Sequence, residues 1–154
     1  ELFMKNPWMI DAYYKDEEGT KKVFREGFIS VGDVAIKDEE GYYTIVDRKS
    51  DMVISGGVNV YPVEIEQVIM LHPKVYDAAV IGVPDAYWGE RVAAVVVPQA
   101  GQTLTKEELV GFLKERLADY KVPKEVAVVN EIPRNPQGKT LKTQLKEAWI
   151  KEHA

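Results

Sequence analysis

The sequence predicts an α+β domain over residues 52–154, built from a β-hairpin and a three-stranded mixed sheet packed by helices. Two apolar, β-branched runs at 75–83 and 92–98 are typical of buried strands, and residues 84–91 connect them. Apolar residues recur at helical spacing in three further segments, which gives the order ββ-α-β-β-α-β-α. At 154 residues the chain has the length of one or two domains.

Residues 1–47 carry a different pattern, dominated by strand and turn signals. Apolar runs at 28–31, 34–36 and 42–46 are interrupted by glycine and by the turn residues 38–41, which predicts a hairpin. No helix is predicted in this stretch. Because a few strands without a packing helix are marginally stable, we expect the stretch to belong to a sheet that lies mostly outside this chain.

The polar segment 47–51 separates the two patterns, and we take it as the domain boundary. A second hairpin is predicted directly after it, with strands at 52–54 and 58–61 around Ser55-Gly56-Gly57. The two glycines can adopt positive φ at the tip without steric cost.

Three helices are predicted after this hairpin. Pro62 suits the first turn of a helix that ends at His72-Pro73. Thr105 and Glu108 have the spacing of a capping box at the start of the second, and a strand at 125–130 precedes the third. The apolar stripes of the three helices are Ile65, Val68 and Ile69, then Leu109, Phe112, Leu113 and Leu117, then Leu141, Leu145 and Trp149.

Composition and charge exclude several classes of protein. The net charge is −5 and no arginine-rich arm is present, which argues against non-specific nucleic-acid binding, although residues 114–154 carry a local balance of +3 that can hold one small polyanion. The absence of cysteine fits a reducing compartment, and we expect a cytoplasmic location. His72 and His153 are too far apart in sequence to suggest a metal cluster, and no transmembrane or signal segment is predicted. The chain opens without methionine in mid-pattern, so we expect it to be part of a longer protein.

Lys139 is the most suggestive candidate for chemistry. It lies in a loop shaped by Pro133, Pro136 and Gly138, with three more bases nearby, and a lysine held in such a loop can bind phosphate oxygens. The loop is not a P-loop, because the upstream glycine of that motif is missing. On the residues alone, a solvated turn is the favoured interpretation.

The other candidates also have two interpretations. Ser55-Gly56-Gly57 can admit a ligand close to the backbone or can form only a tight turn. Asp33, after Gly32, can bind sugar hydroxyls or can belong to turn chemistry. Trp88 and Tyr120 can stack on a nucleobase or can pack in the core, and the turn and core interpretations are favoured when each residue is considered alone.

Five motifs occur in one order along nearly the whole chain: Gly27 to Asp33, Asp47 to Gly57, Tyr61 to Glu66, Ile81 to Asp85, and Ile132 to Lys139. Together they resemble the adenylate-forming family, which includes acyl-CoA synthetases, luciferases and peptide-synthetase adenylation domains. The resemblance implies a large N-terminal domain that binds ATP and a carboxylate, and a small C-terminal lid domain that swings over the active site.

This division implies three parts of the chain. Residues 1–47 are the β-rich end of the large domain, residues 48–51 are the hinge, and residues 52–154 are the lid. Ser50, beside Lys49, occupies the hinge position, where Asp or Lys is more usual in the family; a small polar residue can also absorb a dihedral change.

The resemblance also implies roles in the first half-reaction. Asp33 accepts hydrogen bonds from the ribose hydroxyls of ATP, and Arg48 lies beside ribose and phosphate, although on the residues alone Arg48 and Asp51 make only a solvated ion pair. Lys139 enters the site while the carboxylate attacks the α-phosphate of Mg-ATP. Mg²⁺ is held mainly by the large domain, and no metal site is expected in this chain.

In the second half-reaction the lid rotates and the glycine hairpin approaches the acyl-adenylate. Ser55, Gly56 and Gly57 then line the passage of the pantetheine arm of CoA. By the same resemblance Trp88 touches the end of the pantetheine, and Tyr120 with Lys121 meets the 3′-phosphate of CoA.

The leading hypothesis is therefore the C-terminal portion of an acyl-CoA synthetase for a fatty or aryl carboxylic acid, inactive without the large domain of the same chain. One alternative is an adenylation enzyme that loads the phosphopantetheine of a carrier protein. Another is a non-catalytic α+β interaction module that retains the fold.

Overall fold

The computed structural model describes residues 1–153, in two compact units. The first unit is Glu1–Ser50 and the second begins at Asp51. The division falls within the segment 48–51, for which the hinge role stays a prediction.

The first unit contains two small antiparallel sheets. One has the strand order β1 (Phe3–Met4), β3 (Phe28–Ser30), β2 (Phe24–Arg25). The other is the hairpin of β4 (Asp33–Lys37) and β5 (Tyr43–Arg48), in which Asp33 pairs with Arg48 and Lys37 with Tyr43. The turn of this hairpin is closed by Asp38, whose Oδ1 accepts from the Tyr42 N–H at 2.8 Å. The unit also contains the helix α1 (Glu17–Val23).

The short helix α1 corrects the prediction that residues 1–47 contain no helix. Its side chains have no buried apolar face, so hydrophobic periodicity gives no signal for it. It is stabilised at its ends, because the Asp16 Oδ1 accepts from the Gly19 N–H at 2.8 Å. Acidic residues occupy the first turn and basic residues the last, as the helix dipole favours.

The second unit confirms the predicted α+β order. Each predicted strand and helix is present, and the hairpin tip falls at Gly56-Gly57. The elements are β6 (Val53–Ser55), β7 (Val58–Val60), α2 (Pro62–Ile69), β8 (Val75–Asp85), β9 (Gly89–Pro98), α3 (Lys106–Lys114), β10 (Glu125–Val128) and α4 (Lys142–His153).

Strand β9 is the centre of the sheet. It pairs antiparallel with β8 along its full length and parallel with β10, which makes the predicted three-stranded mixed sheet. The hairpin β6-β7 joins the same sheet through the single pair Ser55↔Gly89.

The β8-β9 connection is shorter than predicted. Only residues 86–88 lie between the strands, whereas the sequence pattern assigned 84–91 to the connection. The polar residues Glu90 and Arg91 continue the ladder opposite Pro84 and Val83. Glu90 satisfies its carboxylate there by accepting from the Ile54 N–H and pairing with Lys146, so the change from apolar to polar residues does not end the strand.

The sheet is covered on both faces, which explains the continuous apolar runs in β8 and β9. Alternate strand residues such as Val80 and Ala94 pack with α2 and α3 in one core cluster. Their neighbours, such as Ile81 and Val95, pack in a second cluster with Leu145 and Trp149 of α4. Within the described residues, no helix is long and apolar enough to cross a membrane.

Thr105→Ala should destabilise the second unit by about 1 kcal/mol, because the Thr105 hydroxyl accepts from the Glu108 N–H at 3.2 Å and caps α3. Urea unfolding followed by far-UV circular dichroism measures this change. Thr103→Ala is the matched control, since Thr103 is exposed and precedes the cap. Equal effects of the two substitutions would contradict the capping role.

Candidate functional site

The loop that carries Lys139 is closed on itself by hydrogen bonds. Arg134 and Thr140 form an isolated antiparallel bridge at its base. The side chain of Asn135 accepts from the Lys139 N–H at 2.8 Å, and the Asn135 N–H donates to the Lys139 carbonyl at 2.9 Å. Gly138 has φ +81°, a conformation that glycine adopts without steric cost. Lys139 therefore projects from a loop of defined backbone rather than from a loose turn.

The basic residues around Lys139 are largely neutralised by carboxylates. Arg134 pairs with Asp77 at 2.8 Å. Lys142 pairs with Glu66 at 2.7 Å, and Lys146 pairs with Glu90 at 2.6 Å. Among residues 1–153, Lys139 forms no ion pair and its side chain is exposed. The excess positive charge of this region is therefore presented at Lys139.

The hairpin tip lies against the β8-β9 turn. Gly56 and Gly57 have φ +57° and +81°, as in a type I′ hairpin turn, and the Gly56 N–H donates to the Trp88 carbonyl at 2.9 Å. A Cβ atom on Gly56 would lie 2.5 Å from Cε3 of the Trp88 ring, whereas a Cβ on Gly57 would meet no atom within 4 Å. Close approach therefore requires glycine at Gly56, while Gly57 borders open space.

A pocket of about 290 Å³ opens between the hairpin, the β8-β9 turn and the segment 119–124. It brings together four of the residues singled out from the sequence, but neither Gly57 nor Lys121 is among its lining residues. The four are Ser55, Gly56, Trp88 and Tyr120, and the further lining residues are Val58, Arg91, Val92, Asp119, Val122 and Lys124.

These further lining residues carry little signal in the sequence. Val58, Val92 and Val122 lie in stretches that look like ordinary core, and only the fold shows that they border a pocket. The sequence does not predict Arg91 and Lys124 as ligand-binding cations, because neither belongs to a cluster of positive charges. For Asp119, Val122 and Lys124, the one signal in the sequence is that they lie close to Tyr120 along the chain.

Trp88 is held in a partly exposed position by its own turn. The Asp85 Oδ1 accepts from the N–H groups of Trp88 at 2.9 Å and Tyr87 at 2.8 Å. These two backbone hydrogen bonds hold the pKa of Asp85 below its usual value, and the bond from Trp88 has the larger effect. Trp88 and Tyr120 are each 50% exposed, so both are available to a ligand and neither is a core residue.

Lys121 is committed to a carboxylate on helix α2. Its Nζ lies 2.6 and 2.8 Å from the two carboxylate oxygens of Glu64. This hydrogen bond raises the pKa of Lys121 above its usual value, and burial opposes the shift. Its charge is shared with Glu64. The lysine among the lining residues of the pocket is Lys124.

The predicted nucleotide residues of the first unit lie together at the open end of the β4-β5 hairpin. Arg48 Nε is 3.0 Å from Oδ1 of Asp33, and Arg48 Nη1 also donates to the Val31 carbonyl at 3.2 Å. The neighbouring Lys49 pairs with Glu1 at 2.7 Å, and its N–H donates to the Gly32 carbonyl at 2.8 Å. Ser50 follows as the last residue of this unit. In the part of the chain that the structure describes, no group of three or more His, Cys, Asp or Glu residues is placed to hold a metal ion.

Comparison with known proteins identifies the family of the second unit. The model of the AMP-binding enzyme C-terminal domain matches residues 64–139. The chain carries an AMP-binding enzyme C-terminal domain. The resemblance to adenylate-forming enzymes is thereby confirmed, and the match begins in α2 and ends at Lys139.

Similar proteins match nearly all of this chain. A 2-succinylbenzoate–CoA ligase of Bacillus mycoides is 41% identical over 147 residues, which is 96% of this chain and 30% of the relative. ATP-bound MatB from Rhodopseudomonas palustris is 43% identical with a TM-score of 0.86, over 93% of this chain and 29% of that one. A Mycobacterium tuberculosis fatty acyl CoA synthetase is 44% identical with a TM-score of 0.71, over 97% and 30%. This chain therefore spans about 30% of the length of the relatives that it matches.

Gly56→Ala should destabilise the AMP-binding C-terminal domain by ~1–3 kcal/mol. The new methyl group must displace the Trp88 ring, and the positive φ of residue 56 also disfavours alanine. Gly57→Ala, with positive φ but open space, should cost only about 1 kcal/mol. Urea unfolding measures both. In a Trp88→Ala background, the cost of Gly56→Ala should fall to that of Gly57→Ala. If Gly56→Ala stays more costly there, the strain does not come from the Trp88 ring.

Proposed function

We propose that this chain supplies the C-terminal part of an AMP-forming CoA ligase. Such an enzyme condenses a carboxylic acid with ATP to an acyl-adenylate and pyrophosphate, and then transfers the acyl group to the thiol of CoA. The observation that carries the proposal is Lys139, a lysine without an ion pair among the described residues, held at the end of an AMP-binding C-terminal domain. The relatives that share this domain include CoA ligases and an ATP-bound enzyme.

In the first half-reaction a carboxylate oxygen forms a bond to the α-phosphorus while the bond to the bridging oxygen breaks and pyrophosphate leaves with the electron pair. Two anions must approach each other, and a cation aimed at the reacting oxygens screens their repulsion. Lys139 supplies that cation without acting as a base. Asp33 accepts from the ribose hydroxyls, and Arg48 lies beside ribose and phosphate. Mg²⁺ bound with the nucleotide by the large domain would balance the remaining phosphate charge.

In the second half-reaction the thiol sulfur bonds to the acyl carbon, the thiol proton is lost to solvent or base, and AMP leaves. The pantetheine arm passes the hairpin tip, where Ser55 and Gly56 line the pocket and Gly57 borders open space. Trp88 and Tyr120 contribute partly exposed aromatic faces to the same pocket. The segment with Lys49 and Ser50 is the pivot that changes the domain from one half-reaction to the other.

The acid is a fatty or aryl carboxylate in this proposal, in keeping with the acids named for the B. mycoides and M. tuberculosis relatives. A panel of carboxylic acids, tested for pyrophosphate release by the whole enzyme, identifies the acid. We expect the enzyme to be cytoplasmic, so the assay uses cytoplasm-like buffer conditions. CoA and a carrier protein share the pantetheine arm, so the proposed passage serves either acceptor. Comparing free CoA with a phosphopantetheinylated carrier protein as acceptor separates the two.

Lys139→Ala in the whole enzyme should reduce carboxylate-dependent ATP–pyrophosphate exchange by about a thousandfold, since an electrostatic contribution of a few kcal/mol to the barrier is lost. Thioester formation from supplied acyl-adenylate should be unchanged, because in the proposed second half-reaction Lys139 has left the active centre.

Lys114→Ala is the matched control for Lys139→Ala. Lys114 is an exposed lysine at the end of α3, and its loss should leave both half-reactions unchanged. Intact exchange in Lys139→Ala would contradict the proposed function and favour a non-catalytic module.

Gly57→Leu should have the reverse effect. A leucine there enters the open space beside the hairpin tip, so thioester formation from acyl-adenylate should fall about a hundredfold while pyrophosphate exchange is retained. Gly101→Leu is the control, because Gly101 has a similar φ of +74° and equally open surroundings away from the hairpin. Equal losses of both half-reactions in Gly57→Leu would exclude separate surfaces for the two steps.

A further inference from the structure

Arg134 joins the Lys139 loop to the central sheet. Its Nη2 lies 2.8 Å from each carboxylate oxygen of Asp77, and its Nη1 donates to the Gly138 carbonyl at 2.8 Å. One planar guanidinium therefore holds two groups that are 61 residues apart in the sequence. None of the chemistry assigned above uses this arginine.

Asp77 is a rigid anchor for this contact. It lies in β8, directly after the register shift between Val75 and Asp77, and its Oδ1 also accepts from the Ala78 N–H at 2.9 Å. The next residues of the strand are buried in the core. A loop fixed to Asp77 is thus fixed to the sheet itself.

The other end of the contact is the peptide bond that precedes Lys139. Arg134 holds the carbonyl of this peptide at Gly138, and the Asn135 side chain holds its N–H at Lys139. Both polar groups of one peptide plane are therefore restrained from opposite sides. That plane sets the direction of the Lys139 N–Cα bond, and the hydrogen bond from the Asn135 N–H to the Lys139 carbonyl restrains the next peptide. The Asp77–Arg134 pair therefore helps to set the direction in which the lysine side chain leaves the backbone.

We propose that Asp77 and Arg134 are a positioning pair for Lys139 in the adenylation half-reaction, and that Arg134 is not a phosphate-binding cation. The proposal rests on the function proposed above. Its physical basis is that the carboxylate of Asp77 already neutralises Arg134, while displacing a reacting group by about 1 Å can cost about a hundredfold in rate.

Asp77→Ala separates the two roles, because they predict opposite signs. If Arg134 bound phosphate, removal of its counter-charge would free a cation and lower the KM for ATP. For a positioning pair, kcat of pyrophosphate exchange in the whole enzyme should fall by about tenfold to a hundredfold with the KM for ATP nearly unchanged. A raised kcat or a lowered KM for ATP overturns the proposal.

Substitutions at Arg134 test the same pair from the other side. Arg134→Ala should match the loss in Asp77→Ala, and the double variant should lose no more than either one, since all three remove the same contact. Arg134→Lys keeps the charge but cannot span Asp77 and the Gly138 carbonyl together, so its kcat should lie between those of Arg134→Ala and the unchanged enzyme. Multiplicative losses, or a fully active Arg134→Lys, contradict positioning.

Arg116→Ala is the matched control. Arg116 is 39% exposed against 40% for Arg134, and it likewise bonds a carboxylate, that of Glu115, and a carbonyl, that of Phe112. It lies just beyond α3, outside the Lys139 loop, and its loss should leave exchange unchanged.

Thioester formation from supplied acyl-adenylate is measured for every variant and should be retained, which also shows that the domain is folded. If Asp77→Ala and Arg134→Ala lose both half-reactions equally, the pair is merely structural and the proposal fails. If Lys139→Ala abolishes exchange while the two variants keep it, only the positioning inference fails. If Lys139→Ala itself retains exchange, the proposed function fails with it.

Discussion

The ladder between β8 and β9 is the constraint on which the second unit depends. Ten residues of β9 pair with β8, and both faces of the pair are buried, so the register cannot slip without exposing one core or the other. Three parts of the second unit with a candidate role are attached to this ladder. The hairpin joins at Gly89, Trp88 lies in its turn, and the Lys139 loop is bonded to Asp77.

Pairing of charges determines which cation of the basic region is available. The positive balance of residues 114–154 suggests a diffuse surface for an anion, but carboxylates from earlier parts of the chain neutralise most of the bases near the loop. Glu66 and Glu90 each hold a lysine of α4 and also accept from a backbone N–H of a strand. These ion pairs therefore attach the helix to the sheet and leave Lys139 as the exposed charge of the loop.

Local patterns in the sequence predicted most of the fold, whereas the candidate site was predicted from the family resemblance. The helices, strands and hairpin of the second unit follow from periodicity and from the glycine pair, whereas α1 was missed because its stabilising signals are caps and charges without an apolar face. The motifs point to Ser55, Gly56, Trp88 and Tyr120 one by one, and only the fold shows that they line one pocket. The contact of Arg134 with Asp77 was not predictable, since it joins residues 57 positions apart through side chains that look solvated in the sequence.

The two candidate surfaces lie at opposite ends of one strand. The Lys139 loop is fixed at Asp77 and the hairpin tip lies against the turn that follows Asp85, which places the two attachment points about 26 Å apart at about 3.3 Å per residue. The buried ladder between them holds these two points apart. In the proposed function, one active centre therefore meets Lys139 and the glycine hairpin in turn, and reorientation of the domain between the two half-reactions is part of that proposal. The separation along β8 supports it, because a rigid strand cannot bring its two ends together.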